Sequence, residues 1–197
     1  MADALRNLGF DVTQRENLTK RQIEEEVRAF GKKLRAGVIG LFYFSGHAMQ
    51  LGGSNFLIPV GGNIEKEQDV EFEAVDVGGV VAEMEAAENH LNIVIPDACR
   101  NNPFMQTFRS ASRGLALMKA PSGTLIAYST SPGSIASDGK ERNGLYTQEL
   151  LKQIRQPSLK IEEVFKRVRI AVKEKSGGKQ LPWETSSLDG EFYFVQK

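Results

Sequence analysis

Apolar residues along this chain fall into two alternating rhythms, a helical spacing of three and four and short continuous runs of strand length. Met1, Ala4, Leu5 and Leu8 share a helical face, and Gly9 stands where a helix ends in a left-handed residue. Phe10-Asp11-Val12 begins a short strand. Thr19 and Gln22 then have the spacing of a capping box, with Leu18 and Ile23 placed as a hydrophobic staple. Ile23, Val27, Phe30 and Leu34 give that helix its buried stripe. The run from Val38 to Phe44 is too continuous for a half-exposed strand and suits one covered on both faces.

Gly52-Gly53-Ser54-Asn55 marks a turn, and Phe56 to Val60 a short extended piece. Glu65 to Asp76 is acidic and reads as a surface loop. Val80, Val81 and Met84 predict a helix leading into a strand over Leu91–Ile95, and Thr124–Ser129 predicts another strand. Two helices follow, one with Leu145, Leu150, Leu151 and Ile154, the other with Ile161, Val164, Phe165, Val168 and Val172 before Gly177-Gly178. Glu191 to Val195 predicts a last strand. Alternating strands and helices define an α/β class with a largely parallel sheet covered on both faces. The chain opens on a helix, although doubly wound domains ordinarily open on a strand.

Composition narrows the partners. The 197 residues suit one domain, and 25 basic against 25 acidic residues leave no field that would recruit nucleic acid or an anionic membrane. No run approaches the ~20 apolar residues of a membrane span and no signal segment opens the chain, so a cytoplasmic protein is expected. The single cysteine rules out an intramolecular disulfide and any metal site built on several thiolates.

That cysteine, Cys99, closes the apolar run Asn92-Ile93-Val94-Ile95-Pro96-Asp97-Ala98-Cys99. One of the two histidines, His47, closes the other, Leu41-Phe42-Tyr43-Phe44-Ser45-Gly46-His47. Open α/β sheets place their chemistry at the carboxyl ends of neighbouring parallel strands, and a thiol with an imidazole makes a nucleophile and its base. Small neighbours (Ser45, Gly46, Ala48, Ala98) leave room for a substrate backbone. Taken singly, Cys99 reads first as a small buried hydrophobe and His47 as a hydrogen-bonded structural side chain, and it is the two together that point to chemistry.

Ser45-Gly46-His47 and Asp97-Ala98-Cys99-Arg100-Asn101 resemble the histidine and cysteine motifs of the caspase-like cysteine peptidases, and most resemble the bacterial branch related to metacaspases. The caspase signature Gln-Ala-Cys-[Arg/Gln/Gly]-Gly, with a histidine about 50 residues upstream, is matched at Ala98-Cys99-Arg100. Tyr128 to Gly133 resembles the substrate-binding loop, and Pro182 to Leu188 the end of the small-subunit region. The resemblance implies a three-layer α/β/α sandwich with a mostly parallel sheet and an antiparallel last strand. It divides the single domain into a large-subunit-like part (1–103), a connecting segment (104–122) and a small-subunit-like part (123–197).

By the same resemblance, Cys99 and His47 are the catalytic pair, and backbone N–H groups of Cys99 with Gly46 or Ala48 form the oxyanion hole. Ala48 stands where the family usually has glycine, and Pro96 removes one ladder donor beside the nucleophile. The substrate-binding set is Asp97, Ser45, Ser129, Ser131 and, by alignment of the loop, Asp138. Asp97 replaces a caspase glutamine, and carboxylates at Asp97 and Asp138 imply cleavage after arginine or lysine. As plain residues, Asp97 also fits a strand-end carboxylate and Asp138 a surface turn. His90 reads as a helix-end residue.

No cofactor is expected. Metacaspase-like proteins often need calcium, and the acidic residues Glu65, Glu67, Asp69, Glu71 and Glu73 suit either a calcium loop or a solvated face, although their pattern is not an EF-hand. Arg100, Arg109, Arg113 and Lys119 are candidate autoprocessing positions or exposed bases. The expected partner is a protein or peptide substrate. The family's first strand, which lies between the strands here near Phe10 and Val38, has no counterpart. Its loss leaves backbone groups unpaired, so self-association or an upstream segment completing the sheet is expected. Three functional readings follow: an active endopeptidase, an inactive caspase-like domain that binds or scaffolds, and a different thiol acyltransferase on a related sheet.

Overall fold

The computed structural model describes residues 1–34, 37–99, 111–112, 114–131 and 143–196, with only the backbone described at Cys99, Ala111 and Ser112. The elements in chain order are α1 (Ala2–Asn7), α2 (Lys20–Lys33), β1 (Ile39–Leu51), β2 (Ser54–Ile58), α3 (Asp69–Glu73), β3 (Val75–Asp76) and α4 (Val77–Ala86). Then come β4 (Leu91–Cys99), β5 (Ala111–Ser112), β6 (Thr124–Tyr128), α5 (Leu145–Gln153), α6 (Ile161–Lys175) and β7 (Trp183–Ser186). The sheet runs β3-β2-β1-β4-β6-β7, with β5 attached to β1. β1, β4 and β6 are parallel, and β7 closes one side antiparallel to β6.

Two apolar layers sandwich this sheet. Ile93, Ile95, Leu125 and Ala127 meet α1, α5 and α6 through Leu5, Leu150, Val164, Phe165 and Val168. Val94, Ala98, Ile126 and Tyr128 meet α2 and α4 through Val27, Val80, Val81 and Met84. The fold is therefore the expected three-layer α/β/α sandwich. Local signals start and stop its helices. At the head of α2, the Thr19 N–H and hydroxyl both donate to Gln22 Oε1, at 2.9 and 3.0 Å. The Asp76 carboxylate caps α4 by accepting the Gly78 N–H at 2.8 Å. Gly177 and Gly178, at φ +61° and +79°, end α6.

Four expectations change. β1 does not stop at Phe44: Gly52 and Gly53, at φ +58° and +87°, reverse the chain so that residues 47–51 pair antiparallel with 54–58. The acidic stretch is no simple loop. It holds α3 and β3, and Val70, Ala74 and Val75 are buried beneath outward-facing carboxylates, an apolar face that the charge pattern hid. Phe10-Asp11-Val12 enters no ladder among the described residues. Glu191 to Val195 makes only a single bridge, Lys160 with Tyr193, and the antiparallel last strand is β7 instead. Phe192 and Phe194 turn inward, edge to face at 4.9 Å, and their burial outweighs ladder formation.

Gly40 sets how closely β1 approaches β4. A Cβ there would stand 2.7 Å from Asn92 Oδ1, 3.1 Å from Met84 Cε and 3.2 Å from Leu34 Cδ2. Asn92 is itself buried and held by Asn89 and the Met84 carbonyl. Gly40→Ala should therefore lower unfolding free energy by about 1–3 kcal/mol, the usual cost of overpacking. Urea denaturation measures this, and an unchanged midpoint would show that the strands give way without strain.

Candidate active site

The site begins with a register. β1 and β4 pair Tyr43 with Ile95, Ser45 with Asp97 and His47 with Cys99. Alternate positions along a strand share a face, so Tyr43, Ile95, Ser45, Asp97 and His47 lie on the side of the sheet covered by α1, α5 and α6. Cys99 is the last residue of β4, and His47 lies between it and Ile58 of β2. Adjacent strands run about 4.8 Å apart, which sets the backbone separation at the His47–Cys99 pair. His47 and Ser45 are exposed. His47 is thus inside β1 and not beyond its end, because the hairpin prolongs the strand past it.

Gly46 and Ala48 occupy the opposite face. Ala48 is 3 % exposed in the second core, and its backbone is outside the left-handed region, so alanine fits where the resemblance has glycine. At Gly46 a Cβ would stand 2.7 Å from Phe44 Cζ, so glycine leaves space for that ring. Pro96 is accommodated within β4 opposite Phe44.

Asp97 is the chemically unusual residue. It is 5 % exposed, yet its carboxylate is held by hydroxyls: Thr147 Oγ1 donates to Oδ2 at 2.5 Å and Tyr43 Oη lies at 3.4 Å from the same atom. The Ser129 hydroxyl is a further hydrogen-bond partner. Thr147 lies in the first turn of α5, whose N-terminal end favours negative charge. Burial pushes the Asp97 carboxyl above the ordinary value of 3.8, while the bonds from Thr147, Ser129 and Tyr43 pull the other way. The phenol of Tyr43 is pushed up to about 12 by burial and by the nearby Asp97. Two more buried hydroxyls, Tyr146 Oη and Thr130 Oγ1, have no hydrogen-bond partner among the described residues, and burial with the Asp97 charge drives the Tyr146 phenol well up.

The expected site residues therefore divide. His47, Ser45 and Asp97 share one face, the backbone of Cys99 is paired with that of His47, and Ser129 joins Asp97 from the end of β6. Ser131 lies two residues further along the same segment, partly exposed. Asp138, Arg100, Asn101, Arg109 and Arg113 lie outside the described residues. Lys119 lies in the segment after them. His90 is an exposed residue between α4 and β4. Tyr43, Tyr146 and Thr147 escaped the sequence reading. Period two along β1 links Tyr43 to Ser45 and His47, but α5 arrives from fifty residues beyond Asp97 with no local signal. Among the described residues no group of three or more His, Cys, Asp or Glu side chains gathers as a metal site would require. Asp69 accepts the N–H groups of Glu65 and Lys66 at the surface. Among the described residues no helix is long and apolar enough to cross a membrane.

The sheet is mixed and not mostly parallel, since the hairpin and the short edge strands pair antiparallel around the parallel trio β1, β4 and β6. An α/β/α sandwich that aligns a histidine and a cysteine on adjacent parallel strands has the framework of a cysteine peptidase. The chain belongs to the caspase domain family, which matches residues 1–193. It is also similar to the human mucosa-associated lymphoid tissue lymphoma translocation protein 1 and its mouse homolog, each 28 % identical over 138 residues, or 69 % of this chain. The chain corresponds to 16 % of the length of those relatives.

The raised Asp97 value has a definite sign. Between the unfolded and folded pKa values the native state holds more protons than the unfolded one, so stability falls as pH rises through that interval. Asp97→Asn should gain on the wild type as pH climbs from below 3.8 towards neutrality, read as the difference in urea midpoints. A wild type that gains on the variant over that climb would mean the hydroxyls outweigh burial. Thr147→Val removes a donor to a buried charge and should cost about 1.5–3 kcal/mol at neutral pH.

Proposed function

We propose that the chain is a caspase-like cysteine endopeptidase with Cys99 as nucleophile and His47 as proton carrier. The register pair His47–Cys99 supports this most directly, since it aligns thiol- and imidazole-bearing residues within one strand spacing. Cys99 passes its thiol proton to His47, its sulfur bonds to the peptide carbonyl carbon and the carbonyl oxygen takes the negative charge. Backbone N–H groups of Cys99 and of Gly46 or Ala48 hold that oxyanion. The tetrahedral intermediate collapses, the C–N bond breaks, and His47 gives its proton to the departing amine. His47 then takes a proton from water, which attacks the thioester and frees both the acid and Cys99.

Asp97 is the specificity group in this reading. Its negative charge is stabilised by neutral hydroxyls, and among the described residues no cation is paired with it. A buried carboxylate of that kind gains most from a guanidinium or ammonium brought by the substrate. Ser45, Ser129 and Ser131 flank it as polar contacts for the substrate chain.

The second reading, an inactive caspase-like binding module, is favoured by one observation: the outer edge of β1 over Ile39–Gly46 has no partner strand among the described residues. Reporter peptides separate the two. The endopeptidase should cleave after arginine or lysine at least tenfold faster than after aspartate, about 1.4 kcal/mol of transition-state binding. Cys99→Ala should abolish turnover and Asp97→Ala should erase most of the preference. Turnover surviving in Cys99→Ala would remove the nucleophile assignment. An aspartate preference would remove the pocket assignment, and no turnover of any peptide would leave the binding module.

A further inference from the structure

The donors reach Asp97 in a fixed order, and that order puts one residue at the centre. An ionised carboxylate only accepts hydrogen bonds, and a threonine hydroxyl has a single proton to give. Thr147 Oγ1 gives that proton to Asp97 Oδ2 at 2.5 Å. In the contact between Tyr43 Oη and Thr147 Oγ1, at 2.7 Å, the phenol is therefore the donor. The hydroxyls form a directed chain from Tyr43 through Thr147 to the carboxylate, and each bond in such a chain polarises the next. Tyr43 Oη also stands 3.4 Å from Oδ2, a longer contact than either link of the chain.

Thr147 is held firmly enough to aim that bond. It is buried, and its β-branched side chain has few choices of χ1. Neighbours on α5 anchor the helix around it: Tyr146 and Leu150 fill the core against the sheet. Glu149 accepts Lys152 Nζ at 2.7 Å and Lys175 Nζ of α6 at 2.6 Å. The third hydroxyl that meets Asp97, that of Ser129, is anchored as well, because buried Gln180 donates through Nε2 to the Ser129 carbonyl at 2.7 Å. A carboxylate held from three elements has a set orientation, which recognition of a planar guanidinium requires.

We propose that Thr147, with Tyr43 behind it, is the positioning residue that keeps Asp97 ionised and aimed at a cationic substrate side chain. This role rests on the assignment of Asp97 as the specificity group and adds which residues make it one. The Thr147 bond favours the charged carboxylate and so opposes the desolvation that burial imposes. Without it, Asp97 takes up a proton at higher pH and loses its hold on a cation there. The other titratable groups on the elements around the carboxylate are Tyr43 and His47 on β1 and Tyr146 and Glu149 on α5. Both phenols are pushed up and stay neutral through the acid range, and Glu149 is paired with its two lysines. His47 is present in every chain compared below, so only the difference between chains is read.

The test reads binding and is independent of turnover. The full chain carrying Cys99→Ala is titrated, from acid to mildly alkaline pH, with a labelled peptide containing one arginine. A twin peptide carries citrulline there, which keeps the shape and lacks the charge. The arginine peptide should bind at least about tenfold tighter at neutral pH, and this advantage should fade as pH falls and Asp97 is protonated. Thr147→Val should move the midpoint of that loss up by about one pH unit or more. Thr147→Ser, which restores the hydroxyl, should return it to the parent position. Tyr43→Phe should move it the same way by less, and it carries the test if circular dichroism shows that the valine chain does not fold. Tyr146→Phe removes a buried hydroxyl that bonds nothing among the described residues and should leave the midpoint in place. Three results overturn this role alone. One is an unmoved midpoint in Thr147→Val, or in Tyr43→Phe where the valine chain does not fold. The second is a serine variant that stays with valine. The third is an equal shift in Tyr146→Phe, which would trace the effect to the packing of α5. No arginine advantage in the parent chain overturns this role together with the assignment of Asp97.

Discussion

The in-register parallel ladder between β1 and β4 is the constraint on which the rest of the molecule depends. A slip of one residue would turn every side chain of β1 to the opposite layer, moving Tyr43 away from Asp97 and setting His47 beside Ala98 or the residue after Cys99. The lock lies at the start of both strands. The Asn89 amide donates to the carbonyls of Val38 and Leu91 and to Asn92 Oδ1, at 3.1, 3.0 and 2.8 Å. Gly40 sits opposite Asn92 and takes no larger residue without a clash. The active-site register is therefore set at the end of the sheet remote from the chemistry.

Asp97 shows what that register makes affordable. Burying a carboxylate is costly unless donors replace its water. Here the donors are hydroxyls from three separate elements, Tyr43 of β1, Ser129 after β6 and Thr147 of α5. Hydroxyls lower the cost of the charge without cancelling it. A lysine or arginine partner would have stabilised the charge more, and among the described residues none pairs with it. Glu149 is the contrast: it is equally inaccessible, but Lys152 and Lys175 pair with its carboxylate and hold it below the usual range, consistent with a structural role.

Much of this was legible in the chain itself. Apolar rhythm located every main helix and the three parallel strands, because burial on a sheet or helix face imposes a period that needs no tertiary knowledge. His47 and Cys99 stood out as reactive residues closing such runs. The misreadings share a cause, since each turned on competition between local and distant partners. Phe192 and Phe194 are alternating aromatics with strand character, yet the core between α1 and α6 takes them. The charge of Glu65 to Glu73 masked Val70 and Ala74, which are buried against Met49 and Phe56 of the hairpin. Thr147 and Tyr146 reach Asp97 from a helix that sequence distance alone cannot connect to it.

The open edge and the site meet within one strand, and the division falls at His47. Upstream of it β1 is held from one side. From His47 onward it is held by β2, with Gln50 and Leu51 gripped on the other edge by β5. Further support comes from Asn55 of β2, whose side-chain amide donates to the Ala116 carbonyl and accepts its N–H. The histidine thus lies at the first doubly paired position, where backbone freedom is lowest, while Tyr43 and Ser45 lie on the singly paired stretch. Among the described residues, the stretch of β1 beside Asp97 is paired on one edge, whereas the His47–Cys99 pair lies where β1 is held on both.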